Sequence, residues 1–300
     1  YTLFPKLYGL MDTSSVEAVG AVNIQQESIL GLTGKGILIG IIDTGIDIRN
    51  DLFLDVAGNT RIIAAWDQSV PGPSDQEENP GYGTVYQQED INEAIRNEAD
   101  ILTDANGHGT FLAGIAAGKR TADFTGVAPE AEYVIVKLKQ AKNNLRGLYG
   151  VPEDVEAYQE NDIMAGIMYI LQVAYSLGRP VTICVGMGSN LGNHDGASPL
   201  CHLIDINNMA GASIVVCAGN EVGSNSGSHT GSSALEALLS NVGIMTGVAV
   251  SVPAGNEGIA GHHFRGRIEG GSTYTEMEIN VTGNNSFTLE IWGAVPNTYS

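Results

Sequence analysis

Residues 38–47 read LIGIIDTGID, and this stretch restricts the fold more than any other. Leu38 to Ile42 is aliphatic apart from Gly40, so as a strand it has no polar face to offer water. A strand buried on both faces belongs to a parallel sheet covered by helices on either side. The run ends on Asp43, followed by Thr44 and Gly45. A carboxylate at the carboxyl end of such a strand stands where open α/β sheets place their sites. Taken alone, the same residues also suit a turn or a helix-capping aspartate, so the rest of the chain has to decide.

Downstream, the patterning alternates. NGHGT (106–110) opens FLAGIAAG, a helix start that gathers small residues on one face and so permits close backbone packing. GVAPEAEYVIVKLK (126–139) reads as a turn and then a strand. Residues 154–177 read as a helix with Ile163, Ile167, Ile170, Leu171 and Ala174 on one stripe. VTICVGMG (181–188) reads as the next strand. Strand, helix, strand, helix predicts an α/β fold with a doubly wound parallel sheet.

Residues 1–29 read as a polar, loop-like lead-in with one short helical stretch, and residues 55–100 as a long acidic insertion carrying a short helix over Gln88–Arg96. From about residue 262 the texture changes to FRGRIEGG, TYTEMEINV and FTLEIWG, short alternating strands without helices between them. These are expected to begin an inserted antiparallel β domain over 262–300, after a core over 30–261, and to stop in mid-course. An internal repeat precedes the change: VGMGSNLGNHDGASPL leads to a strand closing in Ala-Gly-Asn220-Glu, and AGNEVGSNSGSHTGSSAL to one closing in Ala-Gly-Asn256-Glu.

Composition narrows the function. With 43% apolar and 16% charged residues over 300 positions, the chain is of ordinary globular type. A net charge of −20 argues against nucleic-acid or anionic-membrane partners, which need a basic surface. No apolar run is long enough to span a bilayer as a helix. The cysteines, Cys184, Cys201 and Cys217, are odd in number, and two of them sit in apolar strand-like runs, so they read as free buried thiols. Gly34, Gly36 and Gly40 mimic a dinucleotide fingerprint but precede and enter their strand, where a phosphate loop has to follow it. His194, His202, His229, His262 and His263 lack zinc-ligand spacing, and no Asp-rich calcium loop is present. Asn280 and Asn284 match glycosylation sequons that short polar strands produce by chance.

His108, held between glycines at the start of a helix, has little crowding around its ring. Nucleophilic hydrolysis needs a neutral imidazole as base and a carboxylate that fixes its tautomer and stabilises the imidazolium. His108 and Asp43 suit those two roles. An Asn amide after a buried strand and a flexible glycine, as at Asn220 and Asn256, can donate to a developing oxyanion.

IIDTGID, NGHGTFLAGIAAG, GVAPEA with its strand, and strand-AGNEG, in that order, resemble the subtilisin-like serine proteases over residues 30–258. TRIIAAWDQS, YQENDIMAGIMYI and AGNEGIAGHHFRGRI further resemble the clostridial germination-protease (Csp-type) branch, in which a jelly-roll domain is inserted before the nucleophile. The resemblance implies a serine endopeptidase with Asp43 and His108 as triad members, Asn256 or Asn220 in the oxyanion hole, and Gly186, Met187 and Gly188 pairing with an extended substrate strand. The family's Gly-Thr-Ser-x-Ala-x-Pro motif is absent; Gly231-Ser232-Ser233-Ala234 lacks its Thr and Pro and reads as a helix cap. The nucleophile is therefore expected beyond residue 300. Further implications are a protein or peptide substrate, no required cofactor but a structural calcium, and a spore-associated or secreted bacterial location. A cleaved prodomain is also implied, with Tyr1 as the mature terminus. The family also contains pseudoproteases that bind without cutting, which is the alternative function.

Overall fold

The computed structural model describes residues 7–10, 24–25, 31–72, 80–122, 124–189, 198–206 and 211–216. In chain order the strands are β1 (Leu7–Leu10), β2 (Leu38–Asp43), β3 (Ile62–Asp67), β4 (Thr84–Gln87), β5 (Glu132–Lys137), β6 (Tyr158–Gln159), β7 (Val181–Val185), β8 (Met187–Gly188) and β9 (Ala212–Val216). The helices are α1 (Gln88–Arg96), α2 (His108–Ala117), α3 (Asn143–Leu148), α4 (Glu160–Leu177) and α5 (Pro199–Ile206). Among the described residues six strands form one sheet, ordered β4-β3-β5-β2-β7-β9, and three form another, ordered β6-β1-β8. In the larger sheet every pairing is parallel except that of the edge strand β4. The mixed α/β fold and parallel-dominated sheet follow from the alternation in the sequence.

All six residues of β2 are buried, because helices cover both faces of the sheet. Leu38 and Ile42 point into a core shared with Ile163, Ile167 and Ile170 of α4. Ile39 and Ile41 point the other way, into a core with Ala113 and Ala117 of α2 and Ile91 of α1. Side chains alternate along a strand, so the residue two beyond Ile41, Asp43, emerges on the α2 face. That parity brings it to His108, the first residue of α2. Gly40 faces α4, where an added Cβ would stand 2.8 Å from Ile170 Cγ2. The small residues of α2 do the corresponding work on its own side: Gly109, Ala113 and Ala117 lie one turn apart and are buried against the sheet.

Four local expectations differ from the structure. The stretch 55–100 contains an inner strand, β3, whose Trp66 is fully buried and packs 4.9 Å from the Tyr82 ring and 5.6 Å from the Tyr169 ring. Flanking acids and glycines make that stretch read as an insertion, whereas pairing with β5 makes IIAAWD core. Helix α4 begins at Glu160 instead of residue 154, because the backbone of Tyr158 and Gln159 is used in pairing with β1 and the apolar stripe starts only at Ile163. VTICVGMG is two strands divided at Gly186: β7 stays in the parallel sheet while β8 leaves it to pair with β1. The lead-in segment, read as loop-like, contains β1, whose strand character depends on partners about 150 and 180 residues downstream. The expected helix over Gln88–Arg96 is present as α1. The second copy of the repeat and the β domain expected from residue 262 lie outside the described residues.

Candidate active site

Asp43 ends β2, and Gly107, in the left-handed conformation at φ 85°, turns the chain into α2 so that His108 opens the helix beside it. His108 Nδ1 and Asp43 Oδ1 are 2.8 Å apart. The Asp43 side chain is 1% exposed and that of His108 9% exposed. Such a bond makes Nδ1 the protonated ring nitrogen when the imidazole is neutral, and leaves Nε2 as its basic atom. Asp43 Oδ1 also accepts from the Thr44 backbone N–H at 2.8 Å. Asp43 Oδ2 is buried without a hydrogen-bond partner among the described residues.

Gly186 closes the other side. A Cβ there would stand 2.1 Å from Asp43 Oδ2, 2.4 Å from Leu112 Cδ1 and 3.2 Å from His108 Cε1. Only glycine fits this approach. Gly109 is similarly pressed against Gly45, where an added Cβ would meet the carbonyl oxygen at 2.3 Å. The Asp43-Thr44-Gly45 corner and the first turn of α2 thus interlock backbone to backbone.

Past Gly186, Met187 and Gly188 form β8, and their antiparallel partners are Leu10 and Gly9 of β1. On its other edge β1 pairs Leu7 with Gln159 and Tyr8 with Tyr158. An extended segment of the chain therefore lies between β6 and β8 and runs toward Gly186, the glycine packed on Asp43 and His108.

Several groups around this pair escaped the sequence reading. The Asp104 carboxylate accepts from Thr44 Oγ1 at 2.6 Å, Gly107 N at 2.9 Å, Thr110 N at 2.8 Å and Thr110 Oγ1 at 2.7 Å. Burial by itself raises the pKa of Asp104, but these four donors outweigh it and hold the group below the usual aspartate value. Asp104 lies three residues ahead of Gly107, the N-cap of α2, outside the position that a capping pattern marks, so nothing in the sequence singles it out. Glu156 accepts from Asn106 Nδ2 and from the buried Tyr158 hydroxyl, both at 3.2 Å. Burial first, then the carboxylates of Glu156, Asp43 and Asp104, raise the Tyr158 pKa, so its hydroxyl stays protonated and donates. Cys184, on β7 level with Ile41, has its thiol pushed up to about 12 by burial, with the Asp43 charge adding to the effect. At neutral pH it is a packing residue.

Asn220 and Asn256 lie outside the described residues, as do Cys217, His194, His229, His262 and His263. His202 is exposed on α5. Among the described residues no group of three or more His, Cys, Asp and Glu side chains is placed to hold a metal ion. Among the described residues, too, no helix is long and apolar enough to cross a membrane.

Residues 34–256 match the sequence pattern of the subtilase family, Peptidase_S8. The chain belongs to the subtilase family. This subtilase is 30% identical over 134 residues to mycosin-3 of Mycobacterium tuberculosis, an alignment covering 44% of the chain and 22% of mycosin-3. It is 28% identical over 137 residues to the major intracellular serine protease of Bacillus subtilis, covering 45% and 34% of the two chains. Among solved structures it superposes on the CspB protease of Clostridium perfringens with a TM-score of 0.54 at 32% identity, over 66% of this chain and 38% of that one. The last similarity fits the Csp-type branch. The subtilase thus spans well under half the length of each of these relatives.

Proposed function

We propose that this subtilase is the catalytic part of a serine endopeptidase in which His108 is the general base and Asp43 its orienting carboxylate. The observation that carries the reading is the 2.8 Å contact between His108 Nδ1 and the buried Asp43 Oδ1 at the carboxyl end of β2. With Nδ1 occupied, Nε2 takes the proton of a serine hydroxyl as it attacks the scissile carbonyl, then returns that proton to the leaving amine. Asp43 stabilises the imidazolium formed between those two transfers. The serine is supplied from outside residues 1–300, and Asn256 or Asn220 donates to the tetrahedral oxyanion. Residues 30–261 are the core that carries the site, and residues from 262 begin the inserted β domain. The residues described here assign no ligand to a structural calcium, and no step of this mechanism needs one.

The substrate is an extended polypeptide bound by strand addition between β6 and β8, along Gly186, Met187 and Gly188. The position of β1 supports this, since backbone pairing on both edges accepts an extended chain whatever its side chains. We further propose that β1 is the tail of a prodomain, held as a product would be. The cut then falls just past β1, between Leu10 and Asp12, instead of ahead of Tyr1. This predicts that the full-length protein matures to a species lacking residues 1–10, read by intact mass, and that His108→Ala accumulates uncut.

The test of the catalytic reading is turnover of an unstructured protein substrate by the full-length enzyme. Wild type should cleave it, and His108→Ala should lose activity while still unfolding in a cooperative transition. Undiminished cleavage by His108→Ala would sink the mechanism. Absence of cleavage by wild type, with tight binding of an extended peptide, would favour the pseudoprotease alternative.

A further inference from the structure

We infer that Asp104 is a positioning residue, holding the Asp43 corner and the His108 helix in one register through the Thr44 hydroxyl. The consequences for rate rest on the proteolytic reading; the geometric part does not. Asp43 and His108 are 65 residues apart and lie on different elements, so the 2.8 Å contact between them has to be held by something joining those elements. The Asp104 carboxylate does so directly. Its Oδ2 is spent on Thr110 N and Oγ1, its Oδ1 on Gly107 N and on Thr44 Oγ1, so it grips the residues on both sides of His108 and the residue next to Asp43 at once. A cap serving the helix alone would satisfy the first-turn N–H groups without reaching across to Thr44.

The Thr44 hydroxyl has one proton and two carboxylates in reach, Asp104 Oδ1 at 2.6 Å and Asp43 Oδ1 at 3.1 Å. The shorter bond takes the proton. A lone pair of the same oxygen accepts the Gly109 N–H at 3.1 Å, which fixes the hydroxyl from the α2 side as well. Asp43 Oδ1 is then left to the Thr44 N–H and to His108 Nδ1–H. If Asp104 is removed, the hydroxyl is free to turn onto Asp43 Oδ1 and compete with the imidazole for that oxygen. Asp104 does not contact the proposed reacting groups, so its effect passes through Thr44 and the helix.

The experiment uses the full-length protein with Asp104→Ala, Thr44→Val, Thr44→Ser and the double variant Asp104→Ala/Thr44→Val. Two readouts are taken: kcat and KM on a peptide substrate, and the low-field Nδ1–H proton resonance of His108, the mark of an imidazole N–H donated to a carboxylate. Asp104→Ala is expected to lower kcat by about ten- to a hundredfold, the scale of a small misplacement of catalytic groups. KM should stay within about twofold, and the resonance should shift or broaden. Thr44→Val should act similarly and Thr44→Ser restore wild-type behaviour. The double variant should be no worse than the more severe single one, since the two act as a unit. Wild-type kcat and an unmoved resonance in Asp104→Ala overturn the inference, as do losses that multiply in the double variant. If Asp104→Ala fails to fold, Thr44→Val, close to isosteric, decides by the same readouts. If wild type cleaves nothing, the resonance decides alone: its loss in Asp104→Ala sustains the inference while the protease reading falls, and its survival overturns the inference.

Discussion

Asp43, His108 and Gly186 meet within a few ångströms, and each is sensitive for a different reason. Asp43→Asn keeps the shape but offers His108 an amide, which favours the wrong tautomer; the expected loss in kcat is about 10⁴-fold, measured with KM on the full-length enzyme. Gly186→Ala puts a methyl where Asp43 Oδ2 now stands 2.1 Å from the added Cβ position. The carboxylate has to turn away, and a displacement near 1 Å costs about 10²-fold in rate. A wild-type rate in Gly186→Ala would mean that Leu112 and the β7–β8 junction yield instead. Asp104 carries a pH signature. Its pKa is lowered in the folded protein despite burial, so its contribution is complete above the unfolded aspartate value of about 3.9 and is lost as pH falls through the lower folded value. Urea titrations should find Asp104→Asn less stable than wild type at pH 7, with the gap narrowing at pH 3.

At the scale of elements, α2 is fixed at both ends. Its amino end is held by Asp104, and its carboxyl end by Arg61, whose buried guanidinium donates to Ala117 O at 2.6 Å, Leu52 O at 2.7 Å and Pro129 O at 3.1 Å, and also to Ala131 O. A cation at a helix carboxyl terminus also suits the helix dipole. The same side chain lies 5.2 Å from the Tyr133 ring centroid, so it ties α2 and the 129–131 turn to the sheet. Arg61→Met keeps much of the volume and takes this donor from the Ala117, Pro129 and Ala131 carbonyls, while Leu52 O keeps the Lys119 N–H at 3.0 Å. At about 1–3 kcal/mol for an unsatisfied buried group, and without strict additivity, the expected loss is about 3 kcal/mol or more of unfolding free energy, read from denaturant curves. Because Asp104 holds the other end of α2, folded Arg61→Met should keep the wild-type kcat. A large kcat defect with unchanged stability would mean that the two ends of α2 are coupled.

For the molecule as a whole, charge and topology matter most. A net charge of −20, with the Asp104 and Glu156 carboxylates near the Asp43–His108 pair, favours encounters with cationic polypeptides and slows those with anionic ones. The value of kcat/KM for a Lys-rich peptide should therefore fall as salt rises from low to physiological ionic strength, while that of a neutral peptide of equal length stays nearly level. Equal salt dependence of the two peptides would place the acidic surface away from the route of approach. The order β4-β3-β5-β2-β7-β9 sets strands distant in sequence side by side. Parallel pairing over such separations closes long loops before contacts repay them, so folding is expected to be slow.

The sequence by itself determined the parallel core and the pair at its end. LIGIID can be buried on both faces only in a covered sheet, and the alternation along it sends Asp43 to the face where the small residues of NGHGTFLAG let a helix approach. Those are local signals, set by periodicity and by side-chain size. Other features depend on partners far along the chain. IIAAWD becomes an inner strand because β5 lies beside it, and LYGL becomes a strand because β6 and β8 flank it. Asp104 goes unmarked in the sequence until Thr44, 60 residues away, is found against it. Backbone pairing carries almost no sequence code, and a carboxylate's partners depend on which loops the fold brings together. The Asp43–His108 pair was therefore legible in its motifs, while the Asp104–Thr44 hydrogen bond and the place of β1 between β6 and β8 were decided only by tertiary structure.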